Sequence, residues 1–121
     1  QFYPGKAFDK TVWQQLSLYT TGESCPMCMA ATRWAGIGEN IYATSIDKLF
    51  ELGWTQIMIS SLQVDIKSVD GNITPPTTLI SFADTSLYDS YFGYQFNSTN
   101  PCPVGCARNS AGSCAVPTPV A

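Results

Sequence analysis

Alternation first becomes regular at Leu16 and Leu18, with the larger Tyr19 on the opposite face, which predicts a strand over residues 15–20 ended by Gly22. A helical pattern follows. Ser24 can cap it, Pro26 suits a first turn, residues 27–35 are good helix formers, and Gly36 and Gly38 close it. A second strand is predicted over residues 40–44. Ser45 then caps a second helix whose buried stripe is Ile46, Leu49, Phe50 and Leu52, ended by Gly53. Residues 55–60, carrying Ile57, Met58 and Ile59, read as a third strand. Strand, helix, strand, helix, strand implies parallel strands with helices over the sheet.

Outside that stretch the pattern is looser. Residues 1–10 read as an irregular lead-in punctuated by Pro4 and Gly5. Val64, Ile66 and Val69 fit either a strand or a helix edge. Asp70-Gly71-Asn72 is a turn, Pro75-Pro76 blocks regular structure, and residues 80–83 are short and extended. Tyr88, Tyr91, Phe92, Tyr94 and Phe96 form an aromatic cluster. Without cationic neighbours it reads as packing rather than as a base-stacking platform.

At 121 residues and 45% hydrophobic composition the chain supports one core. Residues 1–96 are expected to form that domain, and residues 97–121 a Pro/Gly/Cys-rich stapled tail. A formal charge of −3 leaves no basic stripe, which excludes long nucleic acid as a partner. No apolar run is long enough to span a bilayer. The chain opens on Gln1, as a processed terminus would.

Chemistry enters with the five cysteines, in a chain without histidine. Cys102, Cys106 and Cys114 lie in the tail. Three can make one internal bridge and leave one thiol over for a partner. Asn72-Ile73-Thr74 and Asn97-Ser98-Thr99 are glycosylation acceptor triplets, and with the cysteine tail they favour a secreted protein over a cytosolic one with free thiols. Cys25 and Cys28 stand three apart at a strand-to-helix junction. Residues so spaced share a helix face, and the helix mouth favours thiolate. Spacing alone leaves four readings open: half of a catalytic zinc site, half of a structural zinc site, a redox C-x-x-C, or a plain disulfide or buried thiol pair.

The flanks go further. Leu18-Tyr19-Thr20-Thr21-Gly22-Glu23-Ser24-Cys25-Pro26-Met27-Cys28 resembles the second motif of the zinc-dependent cytidine and deoxycytidylate deaminase superfamily, closest to the guanine deaminase and tRNA adenosine deaminase branch. The resemblance continues through Ala31, Trp34, Ala35, Ile37, Gly38, Ile41, Tyr42 and Ala43 to Gly53-Trp54, and covers residues 16–59. It implies a three-layer α/β fold with helices on both sides of a mixed β-sheet. It also implies that Cys25 and Cys28 are zinc ligands and that Glu23 and Ser24 line a substrate pocket. In the family a histidine from an upstream His-x-Glu segment is the third ligand and water the fourth. The metal activates that water against the amine-bearing ring carbon of a base, while the glutamate moves protons and ammonia leaves.

Two departures stand out. Ser24 replaces the family's usual proline, which leaves ligation intact. The His-x-Glu segment is missing, and Glu23, Glu39 and Glu51 do not match its context. In the family it lies farther upstream of the first cysteine than Gln1 does. The expectation is therefore a C-terminal part of a processed precursor, incomplete without an N-terminal fragment that carries His-x-Glu. The leading function is hydrolytic deamination of a small nucleobase or nucleoside, purine slightly favoured, with further oligomerisation open and no membrane partner. The alternatives are an inactive secreted deaminase-fold protein with a binding or structural role, and a thiol redox module. Met27, Met29 and Trp34 read as packing, Arg33 as a solvated helix side chain. Asp65, Asp70, Asp84 and Asp89 lack metal-loop spacing.

Overall fold

The computed structural model describes residues 10–117. It is a small α/β structure whose elements run α1 (Lys10–Trp13), β1 (Ser17–Gly22), α2 (Pro26–Ala35), β2 (Glu39–Thr44), α3 (Ile46–Glu51), α4 (Ser61–Asp70), β3 (Thr78–Ser81), α5 (Ser86–Phe96), β4 (Ala107–Arg108) and β5 (Cys114–Ala115). The expected lead-in before Lys10 lies outside the described residues. Strands β1, β2 and β3 form one parallel sheet in that order, with Tyr19 opposite Ile41 and Ile41 opposite Ile80. The expected mixed sheet is thus an all-parallel one of three strands, with a separate antiparallel pair, β4–β5, in the tail.

The first strand starts later than its alternation predicts. The Gln15 and Leu16 amides donate to Val12 and Trp13 carbonyls and finish the turn of α1, so the ladder begins at Ser17. It ends at Gly22, as expected, and the Glu23 amide just beyond it donates to the Thr44 carbonyl at 2.7 Å. Helix α2 ends at Gly36, whose φ of 81° is the left-handed cap that glycine adopts without strain. Gly38 is required for a different reason: a Cβ there would lie 2.1 Å from the Gln14 carbonyl oxygen. That contact seats the end of α1 directly on the entry to β2.

The third predicted strand is not a strand. Residues 55–60 run irregularly between α3 and α4, with Ile57, Met58 and Ile59 turned outward at 63%, 49% and 43% exposure. Trp54 is anchored at both ends, its amide to Leu49 and its indole Nε1 to Phe92, and the Ile59 amide closes a tight turn onto Ile57. Ser60 then caps α4 in a full capping box with Gln63. The edge of β2 is filled instead by β3. The apolar run 57–59 was compatible with a strand, but its backbone bonds go elsewhere. Val64, Ile66 and Val69 lie on α4.

Ile46 and Leu49 of α3 are buried, as their spacing predicts. Phe50 is not, being 56% exposed. The aromatic cluster forms α5, where Tyr88 meets Phe82 and Phe96 meets Trp54 edge to face. The inner core consists of Met29, Ala35, Ile41, Ala43, Ile46 and Leu49.

The tail is fastened differently. Cys102 and Cys114 form a disulfide, and Cys106 remains a free thiol 3.8 Å from the Tyr91 hydroxyl. Arg108 donates to the carbonyls of Ser98, Asn100 and Gly112, and the Cys114 amide reaches the Tyr94 hydroxyl on α5.

Candidate metal centre

Cys25 and Cys28 come together where β1 turns into α2. Cys25 holds the N-cap position in extended conformation (φ −64°, ψ 166°), Pro26 opens the helix, and the Met29 amide bonds the Cys25 carbonyl at 2.8 Å. Neither sulfur is bridged. Cys25 is half-buried and Cys28 exposed. The backbone N–H of Cys28 points at the Cys25 sulfur and is the main reason its pKa is lowered. Partial burial opposes the shift, while the Cys28 thiol and the Met27 amide add to it. These amides face the sulfur without completing a full capping bond. Cys28 is raised, chiefly because its thiol is the one that donates to Cys25, and then by burial and by repulsion from the same neighbour. The two shifts are opposite, so Cys25 is the more acidic thiol of the pair and Cys28 the one that holds its proton.

Chemically this is a two-sulfur donor set at a helix mouth, open on one side to solvent. It fits two corners of the tetrahedron that zinc prefers. Among the described residues no group of three or more His, Cys, Asp or Glu side chains converges, so the other corners are not supplied by them.

Glu23 and Ser24, expected to line a substrate pocket, are both buried and fully engaged. The Glu23 carboxylate accepts from the Ile46 amide at 2.9 Å through one oxygen. The other takes the amide and hydroxyl of Ser61, both at 2.7 Å. It caps two helices at once, α3 and α4, and matches negative charge to both N-termini. The same charge and the burial of the ring raise the pKa of Tyr42, burial being the larger cause, against a bond to Ser61. Ser24 does not cap α2. Its hydroxyl accepts from Asn40 Nδ2 at 3.0 Å.

Asn40 was not singled out by the sequence, and neither was the role of Arg33. Asn40 is wholly buried on β2, and Nδ2 also reaches Met29 Sδ at 3.7 Å. Its Oδ1 has no partner, an omission that costs roughly 1–3 kcal/mol. Arg33, expected to be solvated, is 1% exposed. Its Nε sits 2.9 Å from Asp65 Oδ1, off line for a hydrogen bond, while Nη1 donates to Pro75 and Thr77 and Nη2 to Ile73. Asp65 also accepts from the Thr77 amide. This cluster binds α2 to α4 and to the approach of β3. The available signal was position: Arg33 shares the helix face of Met29 and Thr32, both buried.

The remaining residues separate cleanly. Met29 is buried as expected, whereas Met27 and Trp34 are 76% and 67% exposed. Trp34 borders an apolar groove of about 610 Å³ together with Ala31, Ala35 and Ile37. Glu51 pairs with Lys48 on the surface, Glu39 is exposed, and neither approaches a proton-transfer role here. Asn72 and Asn97 are both exposed. No helix of the described residues is long and apolar enough to cross a membrane.

Fold and site together define a small α/β protein, a three-strand parallel sheet with an antiparallel pair in the tail, and two unbridged cysteines at the N-terminus of α2. No protein-family model matches the chain, and no curated protein is similar enough to match it.

Proposed function

We propose that this chain carries the thiolate half of a zinc centre in a hydrolytic deaminase of small nucleobases or nucleosides, purines slightly favoured. The observation that carries the reading is the pairing of Cys25 and Cys28 as free, adjacent thiols at the N-terminus of α2, in the sequence context that resembles the family. Zinc held there would supply the Lewis acidity that makes water nucleophilic near neutral pH. The chain's own residues do the preparatory work. Cys25 and Cys28 present the sulfurs. Glu23 fixes their loop against two helices, and its bonds to Ile46 and Ser61 leave it unsuited to shuttle protons.

The third ligand and the proton shuttle are assigned to a separate N-terminal polypeptide with His-x-Glu. Support comes from the flank of β1, which among the described residues pairs only with β2 and carries Tyr19 at 71% exposure. Parallel sheets are ordinarily covered on their faces, and free edges invite another strand. The Cys102–Cys114 bridge supports a secreted setting, with Asn72 and Asn97 as glycan acceptors and Cys106 free for a partner thiol.

The test is elemental analysis of protein purified from its native source, followed by ammonia release from a panel of purines and pyrimidines. About one zinc per chain, lost in Cys25→Ser and Cys28→Ser, is expected. Metal-free material with the two sulfurs joined to each other overturns the reading. That outcome would favour a thiol redox module, which the unequal pKa shifts of the pair also suit. Zinc without any ammonia release would favour a binding or structural role.

A further inference from the structure

The geometry points to Asn40 as the positioning residue of the thiol turn. Its single amide nitrogen carries two hydrogens. One is directed at Ser24 Oγ, in the residue before Cys25. The other faces Met29 Sδ, in the residue after Cys28. The two contacts bracket the Cys25–Cys28 segment from both ends and tie it to the central strand of the sheet. Asn40 lies on β2 between Leu18 and Leu79, the position least able to move. It is 0% exposed, and so is Met29.

Its carbonyl oxygen shows why the amide matters. Oδ1 is buried with no donor. A leucine of similar size would avoid that penalty and pack as well against Met29. An asparagine kept in such a place is explained by what its nitrogen does for the turn. Ser24 completes the device: serine does not fix its own φ as proline would, so its direction must be set by a partner, and Asn40 is that partner. Asn40 bonds the neighbours of the two cysteines, one step beyond the direct partners of a ligand, whose loss typically changes metal affinity by about 10–100-fold.

The metal readout of this inference rests on the zinc reading above, and the exchange readout does not. Full-length wild type, Ser24→Ala, Asn40→Leu, and Asn40→Leu combined with Ser24→Pro are compared by amide hydrogen exchange and by Co²⁺ titration of the thiolate absorption band. The informative amides are Met29, which bonds Cys25, and Phe82, which bonds Tyr42 at the end of the β2–β3 ladder. Ser24→Ala and Asn40→Leu should each speed exchange at Met29 about tenfold, leave Phe82 at wild-type protection, and weaken Co²⁺ binding by about tenfold or more. Proline at position 24 should recover most of that binding in the Asn40→Leu background. Unchanged exchange at Met29 in Ser24→Ala, or equal acceleration at Met29 and Phe82, overturns the assignment. Should Asn40→Leu fail to fold, Ser24→Ala decides alone. If wild type purified together with its N-terminal partner binds no Co²⁺, the zinc reading fails, while the exchange pattern still settles the role of Asn40.

Discussion

The chain holds its cysteines in two opposite ways. Around Cys25 and Cys28 every flank is fixed by buried polar contacts: Glu23 to two helix starts, Ser24 to Asn40, and Arg33 to Asp65 and three further oxygens. The sulfurs themselves are left unbridged. Around Cys102 and Cys114 almost nothing is buried, and the sulfurs themselves close the segment. A region that can reach the core keeps its thiols available. A region that cannot joins two of its three as a staple, because its exposed residues bury too little apolar surface to offset chain entropy. That one pair is free and the other bridged follows from neighbours rather than from the residue type.

The strongest way to break this contrast is at Arg33. Arg33→Met leaves Asp65 buried and uncompensated, and should lower stability by about 3–5 kcal/mol in denaturant unfolding. A loss below about 1 kcal/mol would mean the thiol region does not depend on its buried polar frame. Next is Glu23→Gln. The amide keeps one acceptor oxygen and sets an N–H₂ against donors, so about 2–3 kcal/mol should be lost, with Ile46 and Ser61 amides exchanging faster.

The tail should respond otherwise. Replacing Cys102 and Cys114 together by serine should unprotect the β4–β5 amides and lower global stability by less than about 1 kcal/mol, although a loop of this size could confer about 3 kcal/mol if it closed the whole fold. A large global loss would erase the distinction between the regions.

The smallest effect is at high pH. Because the Tyr42 phenol has its pKa raised in the folded state, its contribution is fully present below the unfolded value of about 10 and is lost as pH climbs through the higher folded value. Tyr42→Phe cannot ionise, so its alkaline unfolding should begin at higher pH than that of wild type.

Much of the framework was visible in the residue pattern. Gly36, Ser45 and the Ile46–Leu49 spacing announced α2 and α3 because caps and periodicity are local. The thiol pair was visible for the same reason. What the sequence did not disclose depended on distant partners. Residues 57–59 are apolar enough for a strand, yet β3 takes the sheet position, a choice made over more than twenty residues of separation. Arg33 looked like a surface charge because Asp65, Thr77 and the carbonyls that surround it are spread over the next forty residues or so. Asn40 gave no local signal, since its meaning comes from Ser24 and Met29 meeting across β1 and α2.

Glu23 carries a consequence for how the molecule comes apart. One carboxylate joins residue 23 to residues 46 and 61, so the thiol loop and the starts of α3 and α4 share a single fastening. Releasing any one of them strands a buried charge, which makes separate fraying of the three unfavourable and fuses them into one cooperative unit. The cysteine pair should thus be reached by modifying reagents either in its native arrangement or in the wholly unfolded chain, with little populated between the two.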